Sequence, residues 1–383
     1  MSLNKKIIWY CHPTAGSPSE GMSYRPYYLA KYWKQEGNQA YIISSSFHHL
    51  LLNPKKQKEI LALSTHENVD YIRLKTPSYT SNGLKRIFNM LTYSLKFVTQ
   101  QKELLQLTGK PSIIIVSSTH PFHYFPLYYL AKKLKVPLVF EVRDLWPSSL
   151  IELLKLKPWH PLVLLLSKIE KHAYQHAKKV ISLLEFAKPY MVEKGLKPEN
   201  FHYIPNGTDV ENINCSHEDI PEEHQALLKN LKNKGKFIIA YTGAMGPPNA
   251  LEHIVQAMQL LKVSHPHIHC ILLGDGANKT TLQMYCKKHH LDNIDFLPRI
   301  SKTLIPIFLK EADCLYLGWQ DTKLYQYGVS PNKIFDYMLA AKPIIESGGA
   351  PQSIVFKARC GFQCLAANPK DIAKTIINLS ELT

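Results

Sequence analysis

The stretch YGVSPNKIFDYM (327–338) places two charged side chains at the start of an apolar helical pattern. Ser330 stands where a helix N-cap belongs, and Pro331 suits the first helical position after it. Lys333 and Asp336 fall just inside this helix, where unpaired backbone N–H groups favour an anion. The segment therefore predicts an anion site, and the alternative is a surface ion pair between Lys333 and Asp336.

A second group of charges lies in FEVRDLWPSSL (140–150), at the end of an apolar strand pattern. Glu141, Arg143 and Asp144 stand together there, and a Trp-Pro dipeptide follows them. Buried strand ends seldom carry three charges unless the charges pair with one another or bind a ligand. The cluster therefore indicates either a local ion-pair network or a site that faces a cleft.

The histidines give weaker signals. His120, in SSTHPFHYFP, directly follows a strand pattern, and it either lines a site or stabilises its loop. His48 and His49 resemble surface residues of a loop or helix end. The run HPHIH (265–269) has no acidic ligands close by, so it does not predict a metal site.

Glycine-rich loops follow two of the strand patterns. HPTAGSPSEGMSYRP (12–26) contains Gly16 and Gly21, which would let a ligand approach the backbone closely. LLGDGANKTTL (272–282) resembles half of a dinucleotide-binding fingerprint but lacks the third glycine. The motifs G-x-x-x-x-G-K-[ST] and G-x-S-x-G do not occur. Redox dinucleotide enzymes, phosphate-loop NTPases and serine hydrolases are therefore poorly supported.

The elements that must position these residues are short apolar strands alternating with amphipathic helices. The first half has strand patterns at residues 6–11, 40–44, 71–74, 112–117, 138–142 and 180–184. The second half has them at residues 237–243, 269–274, 294–298, 314–318 and 343–347. This alternation predicts two parallel, doubly wound sheets, in which ligands bind at the carboxyl ends of the strands. The turn Pro205-Asn206-Gly207 separates a domain of residues 1–204 from one of residues 205–383.

Composition and charge narrow the function further. The seven cysteines include no C-x-x-C pair, which predicts reduced thiols in a cytosolic protein. We expect no signal peptide and no membrane-spanning helix, since no apolar run approaches about 18 residues. Residues 1–200 carry a net charge of +15, out of +16 for the whole chain. The first half therefore either faces an anionic partner or has a lysine-rich solvated surface. Nucleic acid is not expected, because no recognised nucleic-acid-binding module occurs.

Several motifs, taken in their order along the chain, resemble the retaining glycosyltransferases of family 4. They are AGSPSEGMSYRPYYLA, FEVRDLWP, IPNGTDVE, YTGAMGPPNALEHI, LLGDG and SPNKIFDYMLAAKPII, and together they span almost the full length. The resemblance implies the GT-B fold, an α/β architecture of two facing Rossmann-like domains with an interdomain cleft. The forms EVRDLWP and GVSPNK are similar to a bacterial subgroup acting in O-antigen and capsule assembly, which includes N-acetyl-L-fucosamine transferases.

The resemblance implies a role for each candidate residue. Asp336 corresponds to a carboxylate that binds the ribose of the donor, although glutamate is usual there. Backbone N–H groups near Val329 and Ser330 would meet the donor's diphosphate. The full set of expected donor contacts is Gly16, Gly243, Asn249, Gly274, Arg299, Val329, Ser330, Lys333 and Asp336. The expected acceptor contacts are Tyr24, Arg25 and Trp146, and the expected catalytic residues are Arg143, Asp144 and His120.

This chain also departs from the family pattern. Gly328 stands where most members have a second carboxylate, and Ala244 and Asn249 stand where they have phosphate-binding Arg and Lys. A departing diphosphate still needs positive charge. Arg143 and Lys333 are the best replacements, and Arg299 is a weaker one.

The resemblance implies a UDP-sugar donor, with an N-acetylated hexosamine or deoxyhexosamine as the transferred sugar, and no metal or other cofactor. The implied acceptor is a polyprenyl-pyrophosphate-linked saccharide at the inner face of the cytoplasmic membrane. The basic, apolar segment 83–105 suits an interfacial helix on an anionic membrane, or else a helix packed on the core. The alternatives are a UDP-sugar epimerase of the same fold and an inactive nucleotide-sugar-binding subunit.

Overall fold

The structure is a computed structural model that describes residues 5–17, 20, 24–51, 54, 57–80, 83–210 and 219–382. The chain divides into two compact units, Met1–Pro205 and Asn206–Thr383. The division falls one residue after the position expected from the sequence.

The first unit is built on a sheet with the strand order β3-β4-β2-β1-β5-β6-β7-β8. All neighbouring strands are parallel except β3, which is antiparallel to β4. The strands are β1 (Ile7–Cys11), β2 (Gln39–Ser45), β3 (Leu61–His66), β4 (Val69–Leu74), β5 (Ile113–Ser117), β6 (Leu138–Val142), β7 (Lys179–Ser182) and β8 (Phe201–Tyr203).

Helices cover this sheet. They are α1 (Tyr24–Gln35), α2 (Leu84–Thr99), α3 (Gln101–Thr108), α4 (Tyr124–Leu134), α5 (Ser148–Leu154), α6 (Pro161–His176) and α7 (Lys188–Glu193). Helix α2 contacts α4, and α4 contacts α6, so these three helices lie side by side in one layer. The core beneath α1 includes Tyr10, Ile42, Tyr71 and Ile115 from four neighbouring strands. Every residue of β6 is buried, as expected for a central parallel strand covered on both faces.

The sequence analysis missed two strands of this unit, β3 and β8. Strand β3 forms a hairpin with β4 through the two-residue turn Glu67-Asn68, and both turn residues have positive φ, 48° and 65°. Such turns match the twist of the two strands that they join. The expectation of a purely parallel sheet is therefore wrong at this edge, where LALSTH is partly exposed and weakly apolar.

The second unit is a parallel six-stranded sheet with the order β11-β10-β9-β12-β13-β14. The strands are β9 (Phe237–Thr242), β10 (Ile268–Leu273), β11 (Ile294–Leu297), β12 (Cys314–Gly318), β13 (Ile344–Ser347) and β14 (Gly361–Cys364), of which the sequence analysis missed β14. The helices are α8 (Glu222–Asn233), α9 (Leu251–Ser264), α10 (Lys279–Lys288), α11 (Ile305–Lys310), α12 (Asn332–Leu339), α13 (Ile354–Lys357) and α14 (Pro369–Ser380).

Alternation along β9 divides the interior of the second unit into two cores. Ile239 and Tyr241 pack with α9, α10 and α14 on one face of the sheet. Ile238 and Ala240 pack with α8, α11, α12 and α13 on the other. Successive side chains of a strand point to opposite faces, so an unbroken apolar strand serves both cores. In the part of the chain that the structure describes, no helix combines the length and apolar character needed to cross a membrane.

Candidate active site

The start of α12 differs from the expected capping pattern. The helix begins at Asn332 with Pro331 at the N-cap, and no side chain caps it. The Ser330 hydroxyl instead accepts a 2.8 Å hydrogen bond from the backbone N–H of Asn206, and the Ser330 carbonyl accepts one from the Asn206 side chain. The prediction of Ser330 as N-cap is therefore wrong, because Asn206 engages its hydroxyl.

The uncapped helix leaves several backbone donors available. Among the described residues, the N–H groups of Val329, Ser330, Asn332 and Lys333 donate to no protein acceptor. The first N–H groups of a helix carry partial positive charge along the helix axis, and an anion can satisfy them. This end of α12 has the chemistry of a phosphate site.

Lys333 places a side-chain ammonium group beside this helix start. Its ammonium donates to the Tyr241 hydroxyl at 2.7 Å and to Asn249 Oδ1 at 2.9 Å, and lies 4.1 Å from the centre of the Tyr241 ring. A side chain on Gly243 would bring a Cβ within 3.0 Å of the Lys333 nitrogen, so glycine leaves room for the lysine there. Burial lowers the pKa of Lys333 to about 7. The ammonium therefore lies beside the loop of residues 243–249.

Asp336 lies one turn further along α12 and is 9% exposed. Its carboxylate accepts a hydrogen bond from Lys302, in the 3₁₀ turn Lys302–Leu304. Burial raises the pKa of Asp336, and Lys302 opposes that rise. The alternative of a surface pair between Lys333 and Asp336 is wrong, because each side chain has a different partner.

The sequence analysis did not single out Lys302, although its position after the carboxyl end of β11 was an available signal. Arg299, in the same loop, is exposed. Among the described contacts, it has no hydrogen bond or ion pair, so its predicted contact with the donor stays a prediction.

The glycine-rich loops after β9 and β10 pack backbone against backbone. A Cβ on Gly274 would lie 1.9 Å from the Gly243 carbonyl oxygen, and one on Gly276 would lie 2.5 Å from the Met245 carbonyl oxygen. The Met245 N–H donates to the Asp275 carbonyl at 2.8 Å. Gly243 and Gly274 also have φ of +137° and +142°, which favours glycine. Close packing therefore explains the glycines at positions 243 and 274, and the predicted contact of Gly243 and Gly274 with a donor remains a prediction.

The first unit contains a pocket of about 300 Å³ at the carboxyl ends of its central strands. It brings together His120 after β5 with Arg143 and Asp144 after β6, the three residues predicted to be catalytic. The residues that line it are Pro13, Thr14, Ser45, His48, His49, Leu50, Tyr79, Arg86, Asn89, Met90, Thr119, His120, Arg143 and Asp144.

The charges of FEVRDLWPSSL separate into two environments. Glu141 is buried in a network in which Tyr10, Ser117 and Arg25 donate to its carboxylate at 2.7–2.9 Å. Burial would raise the pKa of Glu141, but Arg25 and the other neighbours lower it below its usual value. Arg143 and Asp144 line the pocket instead. The ion-pair interpretation therefore describes Glu141, and the interpretation of Arg143 and Asp144 as part of a site that faces a cleft stays a prediction.

Arg143 keeps unused hydrogen-bonding capacity. Its backbone N–H donates to the Ser118 hydroxyl at 3.2 Å, while its Nη1 is buried and has no hydrogen-bond partner in the described structure. Asp144 is exposed as a residue. Loss of water around its carboxyl group nevertheless raises its pKa, and the charge of Arg143 opposes that rise. Burial lowers the pKa of His120 well below its usual value, so this ring is neutral.

The remaining predicted residues lie outside the lining of this pocket. Arg25 donates to Glu141 and to the Pro205 carbonyl, which gives it a structural role in the core. The buried Gly16 carbonyl accepts a 3.4 Å bond from Tyr71, and Trp146 donates to the Ser118 carbonyl at 2.9 Å. Tyr24 is partly buried at the start of α1, beside Tyr28, and Gly21 lies outside the described residues. Their contacts with substrate remain predictions.

Several pocket residues were missed from the sequence. His48 is buried at the pocket wall, so its interpretation as a surface residue is wrong. Burial lowers its pKa to about 3. Arg86, Asn89 and Met90 come from α2, which no motif links to β5 or β6. Only the position of His48 just after β2 could have indicated the site.

Comparisons with known proteins show where the chain belongs. Residues 19–212 match the sequence model of Glycosyltransferase Family 4, and residues 223–383 match that of Glycosyl transferases group 1. The probable glycosyltransferase WbjE of Pseudomonas aeruginosa is 24% identical over 79% of this chain and 72% of its own length. The putative colanic acid biosynthesis glycosyl transferase WcaI of Escherichia coli K12 is 29% identical over 32% of this chain and 29% of its own length.

Solved structures show the same fold at low sequence identity. A sucrose-phosphate synthase from Thermosynechococcus elongatus superposes with a TM-score of 0.73, at 15% identity over 98% of this chain and 90% of that chain. The Anabaena protein HepE in complex with UDP-glucose superposes with a TM-score of 0.61, at 14% identity over the same shares. At such identities the likeness shows the fold alone.

Proposed function

The chain belongs to glycosyltransferase family 4 and has the GT-B fold, and from this premise we propose that it transfers a sugar from a UDP-sugar with retention of configuration. The acceptor in this proposal is a polyprenyl-pyrophosphate-linked saccharide in the assembly of a surface polysaccharide. The name of WcaI and the subgroup motifs support the polysaccharide assignment. The transferred sugar is an N-acetylated hexosamine or deoxyhexosamine.

The observation that carries the donor assignment is the uncapped start of α12 with Lys333 beside it. Four backbone N–H groups and one ammonium provide donors and charge for a diphosphate. Asp336 would accept hydrogen bonds from the ribose hydroxyls in exchange for Lys302, or together with it. The Anabaena protein HepE, which shares the fold, was solved with UDP-glucose, and this supports UDP as the nucleotide.

Catalysis in this proposal depends on charge placed at the leaving group. The acceptor oxygen bonds to the anomeric carbon on the face from which UDP departs. The electron pair of the broken bond goes to the diphosphate, which also takes the acceptor's proton. The N–H groups of α12 and Lys333 stabilise the growing negative charge, and Arg143 adds positive charge to the transition state. Asp144 and the neutral His120 orient the acceptor hydroxyl. The chain's own cations do this work, so the mechanism assigns no metal or cofactor.

The surface of the first unit supports a membrane-borne acceptor. On α2 the side chains of Leu84, Phe88, Leu91 and Leu95 are all exposed, between 47% and 84%. Helices α2, α4 and α6 lie side by side, and their one acidic residue, Glu170, is buried. An exposed apolar stripe with lysines and no surface carboxylate suits the interface of an anionic membrane. We infer a cytoplasmic protein that binds the inner face of the cytoplasmic membrane.

Purified protein can test the donor assignment directly. Titration with UDP, GDP and CMP should show calorimetric binding of UDP alone. Release of UDP from a panel of UDP-sugars, with a membrane extract as the acceptor source, should then identify the sugar. Equal affinity for the three nucleotides, or none for UDP, would contradict the proposal.

A further inference from the structure

The pocket of the first unit has two cationic walls. Arg86 enters it from α2, and Arg143 enters it from the loop after β6. Asp144 is the one carboxylate among the described residues that line it. The neutral His48 adds no charge, and its one N–H donates to the Ala15 carbonyl at 3.2 Å. The pocket therefore favours an anion over a cation or an apolar group.

Buried hydrogen-bond donors without partners also indicate that the pocket binds an anion. In the described structure, Arg143 Nη1, Thr119 Oγ1 and His120 Nδ1 are buried without a hydrogen-bond partner. A buried polar group that stays unpaired destabilises the protein, and natural proteins usually satisfy such groups. An oxygen-rich anion supplies acceptors for them. Guanidinium groups also match phosphate oxygens in two-pronged geometry.

The volume limits the size of the ligand. About 300 Å³ is at the lower end for small-molecule sites. This space suits a diphosphate with part of a sugar, while a longer chain would have to leave the pocket.

Helix α2 connects the pocket to the exposed apolar stripe described above. Arg86 and Asn89 line the pocket, while Leu84, Phe88 and Leu91, from the same turns of the helix, are exposed. Residues at these spacings occupy different faces of one helix. An anion in the pocket and an apolar chain along the stripe can therefore contact the same short segment of α2.

We propose that this pocket binds the diphosphate of the lipid-linked acceptor, with Arg86 as its principal cation, and that the isoprenoid chain leaves along the exposed face of α2. This inference rests on the proposed function, which it extends from the class of acceptor to its binding site. Arg143 and Asp144 line the same pocket.

The test uses the full chain saturated with UDP, so that the donor site is occupied. Calorimetric titration with inorganic pyrophosphate should show a second binding event. Arg86→Gln should weaken it at least tenfold, while Arg86→Lys should weaken it by about threefold. Lys85→Gln is the matched control, since Lys85 is the exposed neighbour on α2 and does not line the pocket. This control should change pyrophosphate affinity less than twofold.

A second titration separates a lipid-linked diphosphate from a free one. Farnesyl diphosphate should bind at least tenfold more tightly than pyrophosphate, and Phe88→Ser should remove most of that difference while leaving pyrophosphate binding unchanged. Equal affinity for the two probes would assign the pocket to a soluble diphosphate and overturn the lipid part of the proposal.

Failure of the pocket and failure of the donor assignment give different results. Pyrophosphate binding that is absent, or equally strong in Arg86→Gln, would overturn the pocket proposal even where UDP binds normally. If UDP does not bind, the donor assignment fails, and the same pyrophosphate titrations on the free chain still decide the role of Arg86. Circular dichroism melting of each variant, within about 2 °C of wild type, excludes misfolding as the cause.

Discussion

The two units bind anions by different means in our proposals. In the second unit, backbone N–H groups at the start of α12 provide most of the donors, and Lys333 is half-buried with its pKa lowered to about 7. In the first unit, the guanidinium groups of Arg86 and Arg143 line a pocket built from several separate segments. A site made from one backbone segment is visible as a motif, while a site made from distant side chains is not.

The same contrast appears in the overall charge. Residues 1–200 carry +15 of the net charge of +16. The proposed donor site therefore lies in a nearly neutral half and depends on local geometry, whereas the first half can attract anionic partners over a longer range. The following four predictions test this contrast in order of expected effect.

The largest effect is expected from Arg143→Ala. Turnover should fall by about 10²-fold or more, the scale of losing one transition-state donor. UDP affinity should change little, because only interactions that strengthen in the transition state accelerate the chemical step. Steady-state kinetics at saturating acceptor, with UDP calorimetry beside it, measures both quantities.

Arg143→Lys provides the control and should recover part of the rate, since it restores charge without the guanidinium fork. If Arg143 has only a structural role, the alanine variant will melt earlier, and its folded fraction will turn over at the wild-type rate. That result would show that Arg143 supplies no positive charge to the transition state.

In the second unit, Asp336→Ala should weaken UDP binding about 10- to 150-fold, which corresponds to roughly 1.5–3 kcal/mol for lost charged hydrogen bonds. The variant also leaves Lys302 without its partner. Asp321→Ala, at an exposed position of the same unit, is the matched control and should bind UDP normally. Calorimetry that finds wild-type affinity in the Asp336 variant would refute its assignment to the ribose.

Lys333 predicts a pH dependence for donor binding. Its pKa is lowered to about 7 in the free protein, and a diphosphate beside it should raise that pKa, so binding takes up a proton. Affinity should therefore be full below the free pKa and decline as pH rises through it, by about tenfold between pH 6 and pH 8. UDP-glucose is the appropriate probe, because its diphosphate does not titrate in this range. Lys333→Met should bind more weakly with a flat profile, and a flat wild-type profile would contradict the assignment.

The smallest effect concerns the membrane. Co-sedimentation with liposomes should require anionic lipid and weaken as salt rises, because the screening length shortens to about 8 Å at physiological ionic strength. Lys85→Gln should reduce binding by about fivefold, the scale of roughly 1 kcal/mol per basic side chain at such a surface. Equal recovery of the protein with neutral and with anionic vesicles would contradict the proposal that the positive charge of the first half binds anionic lipid.

The motif at the start of α12 shows how far local sequence determines a site. SPNKIFDYM predicts a helix start with a lysine and an aspartate inside it, and the structure contains one. The position of the N-cap and the partners of both charges could not be predicted. Ser330 binds Asn206, Lys333 binds Asn249, and Asp336 binds Lys302, at sequence separations of 124, 84 and 34 residues.

The sequence alone determined the alternation of strands and helices, the division near Pro205 and the charge difference between the halves, because each depends on neighbouring residues or on composition. Only the tertiary structure decided that His48, Arg86 and Arg143 line one pocket. The parallel sheet brings the carboxyl ends of β1, β2, β5 and β6 to a single edge, and α2 places Arg86 beside that edge. The hairpin of β3 with β4 was decided in the same way. Its two-residue turn and edge position stabilise a strand whose own apolar pattern is weak.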